Sequence, residues 1–356
     1  MNNCGRIREE LAKRGLDAML ITDEKNQRYA FGFPFTDGAV LITLHGAYLF
    51  TDSRYIEAAE RSVGGEVTVR QFGAGKKLSS LIKDAMRSDG VARLGGEEEK
   101  LSHAMYLRYE KLLETELIPA QEIFCTLRAG KTAQEQELMR RAQAIAELAL
   151  EDVLHIIRPG VTERDIAAEI SYRLLKHGGE GNSFDPIALT GKNTSMPHGV
   201  PGDGVVREGD FVTMDFGCVK DGYCSDMTRT VAVGSASDEM KSIYDTVLKA
   251  QLAGIAAAAP GASGAQIDGA ARSVIAAAGF GEYFGHAFGH SLGLDIHETP
   301  AAAPGSTQPM PEGAVISAEP GIYLPGKFGV RIEDVLILRD GGCENITHAK
   351  KELTII

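Results

Sequence analysis

The chain has 356 residues, of which 44% are hydrophobic and 24% charged, a composition typical of a globular protein large enough for two domains. A formal net charge of −12 argues against nucleic acid or an anionic membrane as the main partner. No apolar run reaches membrane-spanning length, and the first residues lack the apolar segment of a signal peptide. Five scattered cysteines suit a reducing compartment, so we expect a cytoplasmic protein without disulfides.

The first 127 or so residues are predicted to alternate between strands and helices. This order is typical of an α/β domain in which helices pack on a mixed sheet. The predicted strands are residues 18–22, 39–43, 48–51, 64–72 and 91–95. The predicted helices are residues 7–14, 54–61, 77–87 and 102–113.

A domain boundary is predicted at the segment Arg128–Thr132, which gives a first domain of residues 1–128 and a second of residues 129–356. Thr132 is a suitable helix N-cap, and Glu135 three residues later completes a capping-box pattern. We therefore predict a long helix that starts after Thr132 and runs toward Ile157.

In the second domain one order of elements occurs twice, about a hundred residues apart. A helix leads into Pro159-Gly160 and then into a second helix from Thr162, and the same order surrounds Pro260-Gly261 and a helix from Gly264. Pro-Gly is also common after helices, so the dipeptide alone does not require a repeat. The repeated order favours a duplicated α+β half. Two halves facing each other across a pseudo-twofold axis would bring ligands from both to the middle.

Asp215 and Asp226 flank Asp221-Gly222, a strong two-residue signal for a β-hairpin. If those two residues form the turn, Asp215 lies opposite Thr228, and Gly217 lies opposite Asp226. Side-chain alternation then places both aspartates on one face of the hairpin. Two carboxylates so close repel each other unless a cation lies between them, and Gly217 leaves room for one. The alternative is a solvated polar hairpin face.

Two glutamates lie in predicted strands farther along the chain. Glu319 ends a predicted strand over residues 314–319, and Glu333 lies within another over residues 330–338. Burying a carboxylate without a partner costs several kcal/mol, so a positive group must meet these side chains. Arg331 lies on the same predicted face as Glu333, and an ordinary cross-strand ion pair is therefore an alternative to a metal role for that glutamate.

Three of the nine histidines, His286, His290 and His297, fall in one glycine-rich segment. A lone histidine is more often structural, whereas three together indicate metal binding and proton transfer. A further histidine, His198, belongs to a turn that the duplicated halves can bring over the centre. Four carboxylates and one imidazole form a hard ligand set that suits Mn²⁺ or Co²⁺.

These motifs resemble the pita-bread metallopeptidases, in particular the bacterial Xaa-Pro aminopeptidases and prolidases that carry a creatinase-like N-terminal domain. The resemblance covers essentially the whole chain. Its C-terminal motifs are highly specific, because five separate ligands occur in the family order Asp, Asp, His, Glu, Glu. The N-terminal match is looser and depends on Asn26–Tyr29 with Gly32-Phe33, and on Thr51–Tyr55. The resemblance implies an α/β N-terminal domain followed by an α+β pita-bread domain with internal duplication.

The resemblance also implies roles for these side chains. Two divalent ions, Mn²⁺ first with Co²⁺ or Zn²⁺ as alternatives, would bind Asp215, Asp226, His290, Glu319 and Glu333. Of these, Asp226 and Glu333 would bridge the ions around a hydroxide nucleophile, with Glu319 doubling as general base. The outer histidines His198 and His297 would orient substrate and stabilise the tetrahedral intermediate. A third group, His286, Arg331 and Tyr323, would contact substrate, with Arg331 a charge partner for Glu333 or for the substrate.

One departure from the family pattern bears on the substrate. Many prolidases have an arginine after His-Glu-x-Pro that is thought to hold the carboxylate of a dipeptide, whereas Ala301 stands at this position here. The departure favours an aminopeptidase for longer Xaa-Pro peptides over a dipeptidase. The large N-terminal domain argues against a methionine-type aminopeptidase. The complete set of five ligands argues against a non-catalytic binding protein with the same fold. Family resemblance also implies a homodimer whose N-terminal domain borders the partner's cleft.

Overall fold

A computed structural model describes residues 2–356, and the chain divides into two compact units, Met1–Leu127 and Arg128–Ile356. The first contains helices α1 (Cys4–Arg14), α2 (Glu24–Phe31), α3 (Ile56–Ser62), α4 (Leu78–Ser88), α5 (His103–Leu113) and α6 (Glu122–Ala129), the last of which ends just past the boundary. Its strands are β1 (Ala18–Ile21), β2 (Gly38–Thr43), β3 (Ala47–Thr51), β4 (Thr68–Gln71), β5 (Leu94–Gly96) and β6 (Leu117–Pro119).

The six strands of the first unit form one mixed sheet in the order β4-β3-β2-β1-β5-β6. Strands β1 to β3 pair antiparallel, whereas β4, β5 and β6 are added in parallel. This confirms the predicted α/β architecture with a mixed sheet. The helix α2, the strand β6 and the helix α6 were not predicted. The predicted strand over residues 64–72 is shorter, because only Thr68–Gln71 pairs with β3.

The second unit contains four long helices and thirteen short strands within the described chain. The helices are α7 (Ala133–Leu154), α8 (Glu163–Lys176), α9 (Asp238–Ala257) and α10 (Gly264–Ala277), with 3₁₀ turns at Gly191–Ser195 and Gly281–Tyr283. The strands are β7 (Gly181–Asn182), β8 (Ile187–Thr190), β9 (Phe211–Phe216), β10 (Cys218–Lys220), β11 (Tyr223–Cys224), β12 (Met227–Ala232), β13 (Gly289–Ser291), β14 (Glu298–Ala302), β15 (Val315–Ala318), β16 (Gly321–Leu324), β17 (Phe328–Arg331), β18 (Asp334–Arg339) and β19 (Gly342–Asn345). The predicted capping box at Thr132 and Glu135 is confirmed at the start of α7.

The second unit is built as two similar halves. In the first half α7 and α8 pack on the sheet β12-β9-β8, and in the second α9 and α10 pack on the sheet β14-β13-β15-β18-β19. The glycine of each Pro-Gly pair has a positive φ, 98° for Gly160 and 85° for Gly261. The amide of Gly160 donates to the Val206 carbonyl at 3.0 Å, and that of Gly261 donates to the Met310 carbonyl at 2.9 Å. The predicted internal duplication is confirmed.

The repeat extends to the strands that carry acidic side chains. The segments Glu208–Gly217 and Glu312–Gly321 both begin with Glu-Gly and end with glycine. Each contains the central strand of its sheet, β9 in the first half and β15 in the second. Asp215 and Glu319 stand seven residues after the first glutamate of each segment. The two side chains therefore occupy equivalent positions in the two halves.

The strand predicted over residues 330–338 is wrong as a single element. The chain leaves β17 after Arg331 and enters β18 at Asp334, and these two strands belong to different sheets. Between them the amide of Glu333 donates to the Thr228 carbonyl on β12 at 3.1 Å. The break places Glu333 where the two halves of the unit meet. None of the helices within residues 2–356 combines the length and the apolar character needed to cross a membrane.

Candidate metal centre

The hairpin formed by β9 to β12 supplies two carboxylates to one site. Asp215 lies opposite Thr228, and the chain turns at Asp221 and Gly222, whose φ angles are 49° and 80°. This is the predicted register. Asp215 and Asp226 both line one cavity, as alternation of side chains along the hairpin requires.

The prediction that Gly217 leaves room for a cation is wrong. A Cβ atom on Gly217 would lie 1.9 Å from the Ser225 carbonyl oxygen and 2.8 Å from the Ser183 hydroxyl. Glycine is therefore required by the close approach of the two hairpin backbones, and it does not provide room for a cation.

The second half of the unit contributes the other three predicted ligands. The Nε2 atom of His290 on β13 lies 3.5 Å from the Asp226 carboxylate and 3.3 Å from the Glu319 carboxylate. Asp226, His290 and Glu333 each offer a ligand atom within 4.8 Å of those of the other two. The sheets of both halves thus bring four carboxylates and one imidazole to a single place, as the sequence predicted.

Three carboxylate oxygens in this cluster are buried and have no hydrogen-bond partner within residues 2–356. They are Oδ1 of Asp215, Oδ1 of Asp226 and Oε1 of Glu333. Buried polar atoms in folded proteins are normally paired, so three orphaned anionic oxygens in one cavity indicate a missing positive partner. Divalent cations fit both the charge and the oxygen and imidazole donors of this set.

Burial and mutual repulsion shift the ionisation of the carboxylates. Burial, reinforced by the neighbouring acids, raises the pKa of both Asp226 and Glu333 well above its usual value. Burial also raises the pKa of Glu319 to about 7, although the charge of Arg331 opposes the shift. The pKa of His290 is lowered, chiefly by burial. Without a bound cation, the site therefore favours protonated carboxyls and a neutral imidazole.

Arg331 is the charged partner of Asp215. Its Nη2 atom donates to Asp215 Oδ2 at 2.5 Å, and both side chains are buried. The ion pair with Glu333, which was one of the alternatives for this arginine, does not form, because the chain turns between β17 and β18 and the guanidinium points at Asp215 on β9. One arginine thus faces four carboxyl groups, so it could balance only one of the four negative charges that these groups carry when all are ionised.

A chain of hydrogen bonds continues from Arg331 to the edge of the cavity. Arg331 Nη1 donates to the Tyr323 hydroxyl at 2.8 Å, and that hydroxyl lies 2.9 Å from His286 Nε2. The other ring nitrogen of His286 lies 2.8 Å from the Ala287 carbonyl. Burial is the main reason that the pKa of His286 falls to about 4. Tyr323 and His286 are thus engaged with their neighbours, and their contact with substrate stays a prediction.

The site opens into a cavity of about 400 Å³. Apart from Tyr323, every predicted site residue lines it, and they are His198, Asp215, Asp226, His286, His290, His297, Glu319, Arg331 and Glu333. The rings of His290 and His297 meet edge to face with centroids 4.4 Å apart. Apolar lining comes from Phe184, Ile187, Pro197, Ala287, Ile296 and Ala301.

Two hydroxyl residues orient the acids and were not identified from the sequence. The Thr228 hydroxyl donates to Glu333 Oε2 at 2.7 Å, and the Ser317 hydroxyl donates to Glu319 Oε1 at 2.8 Å. Ser317 also accepts the His290 amide at 3.0 Å. Thr228 could have been found from its predicted place opposite Asp215. For Ser317 the available signal is its position two residues before Glu319 on the same strand face.

Comparison with known proteins agrees with this geometry. The sequence model of metallopeptidase family M24 matches residues 137–340, and that of the creatinase/prolidase N-terminal domain matches residues 4–129. The chain belongs to metallopeptidase family M24. It is therefore a metal-dependent peptidase with the pita-bread fold, and the predicted resemblance is confirmed.

Relatives of the chain span its whole length. An uncharacterized peptidase of Bacillus subtilis, YqhT, is 39% identical over 99% of both chains. The structure of an Xaa-Pro dipeptidase from Bacillus anthracis matches with a TM-score of 0.95 at 39% identity, covering 99% of both chains. That of an X-Pro aminopeptidase from Thermotoga maritima matches with a TM-score of 0.92 at 34% identity, covering 97% of this chain and 99% of that one. Both activities thus occur among similar proteins.

Proposed function

We propose that the protein is an Xaa-Pro aminopeptidase that binds two divalent ions and removes the N-terminal residue when proline follows it, from peptides longer than two residues. The observation that supports the metal role is the set of orphaned carboxylate oxygens on Asp215, Asp226 and Glu333. The two ions, Mn²⁺ first and Co²⁺ or Zn²⁺ as alternatives, would be held by these acids together with His290 and Glu319. The proposal includes neither nucleic acid nor a membrane as a partner.

Divalent ions held by these residues would supply a bound water of lowered pKa and would polarise the scissile carbonyl. Glu319 takes a proton from the attacking water and passes it to the proline nitrogen of the leaving peptide. Its Oε1 atom is held by Ser317, so the carboxylate keeps one orientation during the transfer. His198 and His297 line the cavity beside the acids and orient the substrate carbonyl. The apolar side chains of Phe184 and Ile187 offer a surface for the prolyl ring.

The preference for longer peptides is supported by the engagement of the cavity's arginine with other side chains. A dipeptide substrate ends in a carboxylate close to the scissile bond, and that charge needs a positive partner when it is buried. Arg331 is the one arginine among the described residues that line the cavity, and it is bound to Asp215 and Tyr323. Ala301, where many prolidases have arginine, lines the cavity with a methyl group. The alternative function, a prolidase, is consistent with the similarity to Xaa-Pro dipeptidases.

A panel of matched substrates tests this preference. We expect a higher kcat/KM for Xaa-Pro-Yaa tripeptides and Xaa-Pro amides than for the Xaa-Pro dipeptide with the same first residue, because only the dipeptide carries the unpaired carboxylate. The variant Ala301→Arg should raise the relative kcat/KM for the dipeptide by about tenfold or more, since a charge-assisted hydrogen bond contributes about 1.5–3 kcal/mol.

Ala301→Met serves as the control, because it adds a long side chain without charge. It should hinder all three substrates alike. Faster cleavage of the dipeptide than of the tripeptide by the unmodified protein would instead make it a prolidase. Omitting the metal and adding a chelator should stop hydrolysis of every substrate.

A homodimer is also part of the proposal, with the N-terminal domain of one protomer next to the partner's cleft. Its support is family resemblance. We expect light scattering to give a molar mass of about twice the 38.1 kDa of one chain. A mass of one chain at micromolar concentration would contradict the dimer and would leave the chemistry at the metal centre unaffected.

A further inference from the structure

Arg229 is a buried arginine on the side of β12 that faces away from the cavity. It follows Thr228, whose hydroxyl holds Glu333, so strand alternation points the guanidinium to the opposite face. The side chain is 2% exposed and forms an ion pair at 2.8 Å with Asp334, which is completely buried. Arg229 is not among the residues that line the cavity of the proposed metal site.

Every hydrogen-bond donor of this guanidinium is used. An arginine has five N–H donors in a fixed planar fork. Nε donates to the Lys350 carbonyl at 3.0 Å, Nη1 to the carbonyls of Thr228 and Glu333 at 2.9 and 2.5 Å, and Nη2 to Asp334 Oδ1 and the Ala349 carbonyl at 2.8 and 2.7 Å. The five bonds join the strand β12, the Glu333-Asp334 corner and the C-terminal segment. No donor is left for a ligand.

The consequence is that Glu333 is held at three points. Its amide donates to Thr228, its carbonyl accepts from Arg229, and its Oε2 atom accepts from the Thr228 hydroxyl. The remaining oxygen, Oε1, is the buried one without a partner. Because both backbone groups and one carboxylate oxygen are fixed, the direction of the free oxygen is fixed as well. A metal ligand held in this way loses little freedom when a cation binds.

We propose that Arg229 is a positioning residue for the metal centre, which fixes the backbone of Glu333 so that its free carboxylate oxygen points at the bound ion. The inference rests on the metal role proposed for Glu333. The planar fork is essential to this task, because the ammonium group of a lysine offers three donors from a single point and cannot span three segments. Charge alone therefore does not replace the arginine.

The same network contains a contact that serves as a matched control. The Tyr244 hydroxyl donates to the Lys351 carbonyl at 2.8 Å, and Lys351 forms an ion pair with Asp334. Tyr244→Phe removes one bond to the C-terminal segment without touching Glu333. Any loss of stability that comes from loosening this segment should appear in that variant, while the position of the ligand is kept.

The test is the binding of Co²⁺ to the full-length, metal-free protein. Calorimetry measures the affinity, and the visible spectrum of the bound ion reports on its ligand geometry. We expect Arg229→Lys to bind Co²⁺ about 10- to 100-fold more weakly and to change the spectrum, since loss of a contact that orients a ligand has effects of this size. Tyr244→Phe should keep the affinity and the spectrum of the unmodified protein. Unchanged affinity and spectrum in folded Arg229→Lys would overturn the proposal.

Two further variants keep the result decisive. If Arg229→Lys does not fold, Asp334→Asn takes its place, because it keeps the shape of the Arg229 partner but removes its charge. We expect about tenfold weaker Co²⁺ binding, and unchanged binding would overturn the proposal. Glu333→Gln separates this inference from the proposed function. If Glu333→Gln binds Co²⁺ as the unmodified protein does, the metal role of Glu333 itself is wrong.

Discussion

Replacing either Asp226 or Glu333 by its amide should abolish peptide hydrolysis. We expect Asp226→Asn and Glu333→Gln each to lower kcat/KM by about a thousandfold or more, because loss of a cation that polarises the scissile carbonyl removes several kcal/mol of transition-state stabilisation. The measurement is cleavage of an Xaa-Pro-Yaa tripeptide with added Mn²⁺, together with the amount of metal bound per chain.

Both variants should remain folded. Each amide keeps the shape of the acid and removes one negative charge from a buried cluster in which the acids repel one another. The melting temperature of the metal-free variants should therefore equal or exceed that of the metal-free unmodified protein. Asp238→Asn is the control, because it makes the same chemical change at a fully exposed residue in the first turn of α9. Unmodified rates in Asp226→Asn or Glu333→Gln would contradict the metal-ligand assignment.

The hairpin could be predicted in detail because its signals are local. The Asp221-Gly222 pair sets the turn, and the two-residue period of a strand then fixes that Asp215 lies opposite Thr228. The capping box of α7 could be predicted for the same reason. Where turn chemistry and periodicity agree over a few residues, the position of a functional side chain follows directly.

Contacts between distant strands could not be predicted in this way. The many β-branched and aliphatic residues between positions 330 and 338 indicate strand, but their pattern does not show that the chain changes sheets at Glu333. The change of sheet directs Arg331 to Asp215 and makes Arg229 the neighbour of Glu333. These pairings depend on how the two halves pack, and packing has no period in the sequence.

The internal repeat carried more information than the prediction used. Aligning the Pro-Gly pairs indicated duplicated halves, but it did not extend to Glu208–Gly217 and Glu312–Gly321. Aligning Glu208–Gly217 with Glu312–Gly321 makes Asp215 and Glu319 equivalent and thereby links one proposed ligand of each half from the sequence alone.

In the first unit, α2 was missed because its first turn follows β1 after only two residues, although Asp23 forms its N-cap.

The metal-free protein should become less stable as the pH rises from about 4.5 to 8. The pKa values of Asp226, Glu319 and Glu333 are raised in the folded state, that of Glu319 to about 7. The folded state thus binds more protons than the unfolded state above pH 4 to 4.5, and the free energy of unfolding falls with pH until the folded pKa is passed. Bound metal should reverse the trend, because it binds the deprotonated carboxylates.

Comparison with the double variant Asp226→Asn/Glu333→Gln isolates these groups from the others that titrate. The lowered pKa of His286 acts with the opposite sign, since its unfolded state takes up the proton first between pH 6.5 and about 4. That contribution is largely shared by both proteins and largely cancels in the difference of their melting temperatures. We expect the metal-free unmodified protein to lose about 5 °C or more relative to the double variant between pH 5 and pH 8, and Mn²⁺ to raise the melting temperature of the unmodified protein increasingly over that range. Parallel curves for the two proteins would show that the four carboxylates are not held in the repulsive cluster that a pair of cations is proposed to neutralise.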